Sequence, residues 1–184
     1  GLGSGVPTRT YDSYNPAKVE AAVHEALTLI GGIGQFVKPG QRVLIKPNAL
    51  MGVSPEAAVT THPSIISAVV KEVIKAGGIA QAGDSPGNAY ANVEKSLIAS
   101  GIKPAVEAAG GRMVYFQQSG VKEINGIPIA KAALEADAVI NLAKLKTHGL
   151  TLYTGAVKNM FGCVPGFHKS YFHINHPDPA DFAE

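Results

Sequence analysis

Lysine and histidine crowd the stretch from Asp137 to His176, DAVINLAKLKTHGLTLYTGAVKNMFGCVPGFHKSYFHINH, and no acidic residue lies between Asp137 and Asp178. Lys144, Lys146, Lys158 and Lys169 fall within it, together with His148, His168, His173 and His176. The whole chain carries 16 basic and 14 acidic side chains, a net charge of +2, so this segment is far more positive than its surroundings. Ammonium groups bind phosphate or carboxylate, and an imidazole passes a proton or ligates a metal. Lys144, Lys146 and His148 alternate with Leu145 and Thr147, so an extended backbone projects all three from one face. Lys158 follows in GAVKNMFG, where a short helix between Gly155 and Gly162 would return a further ammonium to the same place. Burial and like charge would depress one of these lysines, the usual route to a lysine that acts as base or nucleophile. His148 is a candidate acid, base or metal ligand, and the residues alone leave open which lysine would react.

Two more polar motifs close apolar runs. Lys46-Pro47-Asn48 sets an ammonium and an amide at the end of one run, and Gly83-Asp84-Ser85-Pro86-Gly87 sets a carboxylate and a hydroxyl at the end of another. Glycines there permit close backbone approach. Neither G-x-G-x-x-G nor G-x-x-x-x-G-K-[ST] occurs, so no dinucleotide fingerprint or P-loop is indicated. The candidate anion-binding set is Lys46, Asn48, Asp84, Ser85, Lys144 and Lys146. A metal ion of unspecified identity is a further expectation, with His148, His173 and His176 as its ligands. The spacing H-x4-H-x2-H of His168, His173 and His176 is not a standard zinc signature. His62 reads as a helix cap, and His24 as an inert surface side chain.

The elements that must position these residues alternate. Asn15-Pro16 opens an amphipathic helix that stops at Gly31-Gly32, and Gln41–Ile45 reads as a buried strand. Thr60-Thr61-His62-Pro63 opens a second helix that runs to Gly77-Gly78, with Thr61 or His62 as its cap. Ile79–Ala82 is a strand, Asn92–Ser100 a helix, Pro104–Ala109 a helical turn and Arg112–Phe116 a strand. Asn125-Gly126 marks a tight hairpin within Val121–Ile129. Ala130–Ala136 supplies one or two helical turns, and Ala138–Leu142 is the last buried strand. This order predicts an α/β fold: a mostly parallel, Rossmann-like sheet with helices on both faces and a local β-hairpin. Ligands of such sheets sit beyond the carboxyl ends of the strands, where all three polar motifs fall. Residues 1–14 read as an N-terminal extension, 15–166 as the α/β domain, and 167–184 as a tail or the start of a second lobe.

Composition narrows the function. With 46% hydrophobic and 16% charged residues the chain reads as globular. No apolar run approaches the roughly 18 residues that span a bilayer, and GLGSGVPTRT lacks the basic and apolar parts of a signal peptide. A cytoplasmic location and no membrane partner are the expectations. The near balance of charge outside the late segment argues against nucleic acid as a partner. Cys163 is the single cysteine, so a 4Fe–4S cluster would have to lie in a region or partner outside this chain. Oligomeric state is left open.

Four motifs, IKPNAL (Ile45–Leu50), TTHP (Thr60–Pro63), AGDSPG (Ala82–Gly87) and NLAKLKTHGLTLYTGAVKNMFGCVPG (Asn141–Gly166), carry a resemblance to domain-of-unknown-function family 362. It covers roughly residues 15 to 176. Members of that family are often joined to ferredoxin-type 4Fe–4S modules, so the resemblance implies an α/β domain, a redox connection and such a module as partner. More distantly, the layout is similar to the N-terminal domain of the lactate racemase family, which binds a nickel pincer cofactor tethered to a lysine. In that family a histidine precedes the tethering lysine by about ten positions in a glycine-rich segment, which His148 and Lys158 match, so the resemblance implies that these two are the candidate catalytic residues. Lys46-Pro47-Asn48 stands where those racemases carry an aspartate and arginine motif. The sequence thus reads as an enzyme domain, oxidoreductase or racemase-like, that binds an anionic small molecule or cofactor. The alternatives are a non-catalytic iron–sulfur-associated docking or electron-transfer accessory, and a metal-binding module.

Overall fold

The computed structural model describes residues 13–86, 92–149 and 152–175, the side chains of Phe167, Ser170, His173 and Ile174 excepted. Asn15 caps the first helix, α1 (Pro16–Leu29), its side chain accepting from the amides of Ala17 and Lys18. The first strand, β1, runs from Arg42 to Pro47. His62 caps α2 (Pro63–Lys75) by accepting from Ser64 N, and proline fills the first turn where no amide partner is needed. The strand β2 (Ile79–Ala82) and the helices α3 (Val93–Ala99) and α4 (Ile102–Ala108) follow. Next come β3 (Arg112–Met113), a hairpin of β4 (Val121–Ile124) and β5 (Ile127–Ala130), and α5 (Lys131–Leu134). Asn125 and Gly126 have φ of 51° and 81°, the paired left-handed residues that a two-residue type I′ turn demands. The last sheet strand is β6 (Ala138–Leu142), followed by a second hairpin, β7 (Lys146–His148) and β8 (Leu152–Thr154), then α6 (Ala156–Met160) and α7 (Phe167–Asn175).

The fold is α/β. Its main sheet has the order β3-β2-β1-β6 with every pairing parallel, and the β4–β5 hairpin stands apart from it. Alternation along β1 splits the core. Val43 and Ile45 pack with Ile66, Val69, Val70 and Val73 of α2, while Leu44 packs on the other face with Phe116, Ala130 and Cys163. Helices therefore cover one face, and α5, α6 and the chain around Phe116 cover the other.

Two strand boundaries differ from the sequence reading. β1 continues past Ile45 because Lys46 and Pro47 pair with Asn141 and Leu142 of β6. The strand expected over Arg112–Phe116 stops at Met113: Val114 N still donates to Ala82 O at 2.8 Å, after which Phe116 turns into the second cluster.

Candidate functional site

The chain builds β1, β2 and β3 outward in one direction, then returns to lay β6 on the other side of β1. The carboxyl ends of β1 and β6 therefore flank the point where strand order reverses, the usual ligand crevice of open parallel sheets. Two polar layers meet there.

The lower layer is buried and compensated. Lys46 shares the face of Leu44, which carries it toward Cys163 rather than into solvent. Its side chain is fully buried, and Nζ lies 2.6 Å from Asp84 Oδ1. The same ammonium donates to Pro47 O at 2.9 Å. Asp84 also accepts from Ala49 N at 2.7 Å and from Ser85 N at 2.8 Å, so its carboxylate is held from three directions. Gly162 closes the chamber from above: a Cβ at that position would meet Asp84 Oδ1 at 2.1 Å and Lys46 Nζ at 2.6 Å. Ser85 Oγ accepts from Gln117 Nε2 at 2.9 Å and Gly166 N at 3.2 Å. Lys169 of α7 reaches in and donates to Ser85 O. Burial lowers its pKa to about 8, with Lys46 also pushing it down and Asp84 opposing. The same burial raises the Cys163 thiol, which is a poor nucleophile in this setting.

The upper layer is a relay of amides that ends on a lysine. Asn159 of α6 donates through Nδ2 to Asn141 Oδ1 at 2.7 Å and to the carbonyls of Lys46 and Pro47 at 3.2 and 3.3 Å. Its Oδ1 accepts from Asn48 Nδ2 at 3.1 Å, and Asn48 Oδ1 accepts from Lys146 Nζ at 2.8 Å. Lys146 also donates to Val59 O. Thr61 ties the two strand ends together: Oγ1 donates to Leu142 O at 2.6 Å and accepts from Asn48 N at 2.9 Å. The pKa of Lys146 is lowered first by burial and then by the charges of Lys144 and Lys158, against an opposing pull from Asp84. Lys158 is lowered by burial, and its Nζ stands 6.0 Å from the Phe161 ring centroid. Burial also lowers His62, with Glu56 opposing and Lys144 adding to the effect.

The structure thus groups Lys46, Asp84 and Ser85 below, and Asn48, Lys144, Lys146 and Lys158 above. Burial alternates from Lys144 to His148, with Leu145 and Thr147 exposed between half-buried neighbours, as the spacing predicted. His148 ends β7 opposite Leu152. His168 is exposed on α7. The side chain of His173 and the whole of His176 lie outside the described residues, as does Gly87. Among the described residues no three or more His, Cys, Asp or Glu side chains gather as a metal site would require. Nor is any helix among them long and apolar enough to cross a membrane.

Asn141, Asn159, Thr61 and Gly162 were not singled out by sequence reasoning, or were assigned lesser roles. Asn141 gave a signal, since an amide inside the apolar run VINL needs a partner once buried. Asn159 gave none.

These features define a class: a parallel α/β domain with a lysine cluster at the switch point of its sheet. The chain belongs to the family described as Domain of unknown function (DUF362), whose model matches residues 43–184. It is 41% identical over 168 residues to a thylakoid-associated protein of Synechocystis sp., a match that covers 88% of this chain and 51% of that protein. The chain therefore spans about half the length of this curated relative. No solved structure matches it.

Proposed function

We propose that the domain binds an anionic small molecule or cofactor, through a phosphate or carboxylate group, at the crevice between β1 and β6. The observation that carries this reading is the convergence of charge on Lys146. Its ammonium is fixed by Asn48 and Val59, half-buried, and close enough to Lys144 and Lys158 for both to depress its pKa. An arrangement that raises the cost of its own charges is relieved by a bound anion. Lys144, Lys146 and Lys158 supply that charge, and Asn48 orients Lys146. Lys46, Asp84 and Ser85 form the floor on which Asn48 and Gly162 rest. His148, at the end of β7, is the proton donor or acceptor in an enzymatic version of this reading, with Lys158 as the second reacting group.

Titration of the purified chain with inorganic phosphate and with a dicarboxylate, followed by calorimetry at low salt, tests the assignment. Lys146→Gln and Lys158→Gln should each weaken binding by about tenfold or more, the effect of losing one charge-assisted hydrogen bond in a partly buried site. Lys122→Gln, on the exposed strand β4 and outside both polar layers, should leave it unchanged. Equal binding by all these proteins would rule the site out.

A further inference from the structure

Along β6, β7, β8 and α6 the fold leaves an apolar face uncovered. Leu145 and Leu152 are 77% exposed, Tyr153 62%, Val157 90% and Val139 41%. Isolated exposed apolar side chains are ordinary, but these sit on elements that touch, or in the case of Leu145 immediately before one: β7 pairs with β8, and α6 contacts β6 and β8. Beneath them β6 is an end strand of the sheet. Among the described residues, the backbone of Ala138–Asn141 makes no hydrogen bond beyond its ladder with β1. Strands of parallel sheets are normally buried on both faces, and open edges are normally guarded by charge or proline. Ala138-Val139-Ile140-Asn141-Leu142 has neither guard.

We propose that this face is the seat of a second lobe, supplied by the length of chain that the Synechocystis relative carries outside the matched stretch, and that the lobe extends the sheet by pairing with β6. The matched stretch is 51% of that relative, which leaves enough polypeptide for another domain of similar size. A second copy of the chain fits the face poorly. Two-fold pairing would set one acid-free, lysine-bearing segment against another. The lobe would stand beside Lys144, Lys146 and Lys158, but the proposal does not rest on the anion reading, because its test contains no ligand.

Hydrogen exchange, followed by mass spectrometry, compares the full-length Synechocystis protein with the same protein shortened to its matched region. Amides aligned with Ala138–Leu142 should exchange about tenfold or more slowly in the full-length protein, while those aligned with the core of α2 exchange alike in both. Equal exchange of the β6 amides overturns the proposal. So does protection in the shortened protein that grows with its concentration, the mark of a second copy. If shortening also strips protection from α2, the full-length protein carrying the counterparts of Leu152→Asp and Val157→Asp serves as the opened form. Exchange at β6 that those substitutions leave unchanged overturns the proposal equally.

Discussion

Gly162→Ala adds one carbon to the molecule and should be among its most damaging small substitutions. The new Cβ would stand 2.1 Å from Asp84 Oδ1 and 2.6 Å from Lys46 Nζ, about 0.9 Å inside the closest approach that a real Cβ tolerates to the carboxylate. The tip of a flexible side chain would ordinarily swing away. Here the carboxylate is pinned by Ala49 N and Ser85 N and the ammonium by Pro47 O, so relief means separating a fully buried ion pair or lifting α6 off the sheet. Disrupting a buried pair costs about 3–5 kcal/mol, and overpacking alone about 1–3 kcal/mol. An expected loss of about 3 kcal/mol corresponds to a fall of roughly 6–12 °C in Tm for a domain of this size. Urea unfolding at pH 7, with thermal melts as a second probe, measures it. The same substitution placed in a Lys46→Ala, Asp84→Ala background, where the clashing atoms are gone, should cost less than about 1 kcal/mol more. If Gly162→Ala is within about 1 kcal/mol of the unmodified protein, or costs as much in that background as alone, the closed chamber is wrong.

Three further outcomes follow from the same two layers. Lys169 ionises near 8 in the fold against an ordinary 10.5, so between these values the unfolded chain holds a proton that the folded chain has shed. Stability from this group is therefore present above pH 10.5, falls as pH drops toward 8 and is lost below it, a swing of about 3 kcal/mol at most; Lys169→Met should flatten that rise in urea unfolding measured at pH 7.5 and 10, and an unchanged slope refutes the assignment. Asn159→Ala leaves the Asn141 and Asn48 amides without their shared partner, which should cost about 1–3 kcal/mol and weaken phosphate binding by freeing Lys146, whereas unaltered binding would mean that the relay does not position the lysine. Cys163, buried and with a raised pKa, should resist iodoacetamide at pH 7.5 in the folded protein and react fully in denaturant, so rapid labelling of the native chain would contradict its burial.

The sheet was legible because its strands are short apolar runs bounded by Pro-Gly, Gly-Gly and polar turns, and because helical spacing between them is clear in α1 and α2. What the sequence concealed was set by partners distant along the chain. A lysine followed by proline looks like the end of a strand. It is instead the last buried part of β1, since Asp84 neutralises Lys46 from 38 positions away while β6 pairs with its backbone. The converse holds at Val114–Phe116, where β-type residues leave the sheet and Phe116 joins the cluster around Leu44, a path that needs glycine at 83, since a Cβ there would meet Phe116 and Val114 at 2.7 and 2.8 Å. The lysines of the upper layer were visible as a cluster, yet Lys146 is held through Asn48 by Asn159, whose neighbours in sequence give no hint that four other residues converge on it. Local pattern reports which face a residue takes; it cannot report which partner awaits it there.

The two layers also explain why the upper one can afford its charge. A cluster of like charges at a sheet edge tends to push its elements apart, and Lys144 and Lys158 both act on Lys146 in that sense, with Asp84 opposing from below. Uncharged contacts help to hold α6 in place: Asn159 bridges β1 and β6, and Asn141 Nδ2 donates to Ala156 O at 2.7 Å. The lower layer adds a second anchor, because Gly162, just past α6, accepts from Ser85 N at 3.3 Å and fits only while the ion pair beneath it is closed. Hydrogen bonds between neutral groups are little weakened by salt or pH, whereas the lysines respond to both. The segment from Lys144 to Lys158 is thus mounted in part on hydrogen bonds between neutral groups, and under the proposed reading a bound anion would offset the like charge that remains.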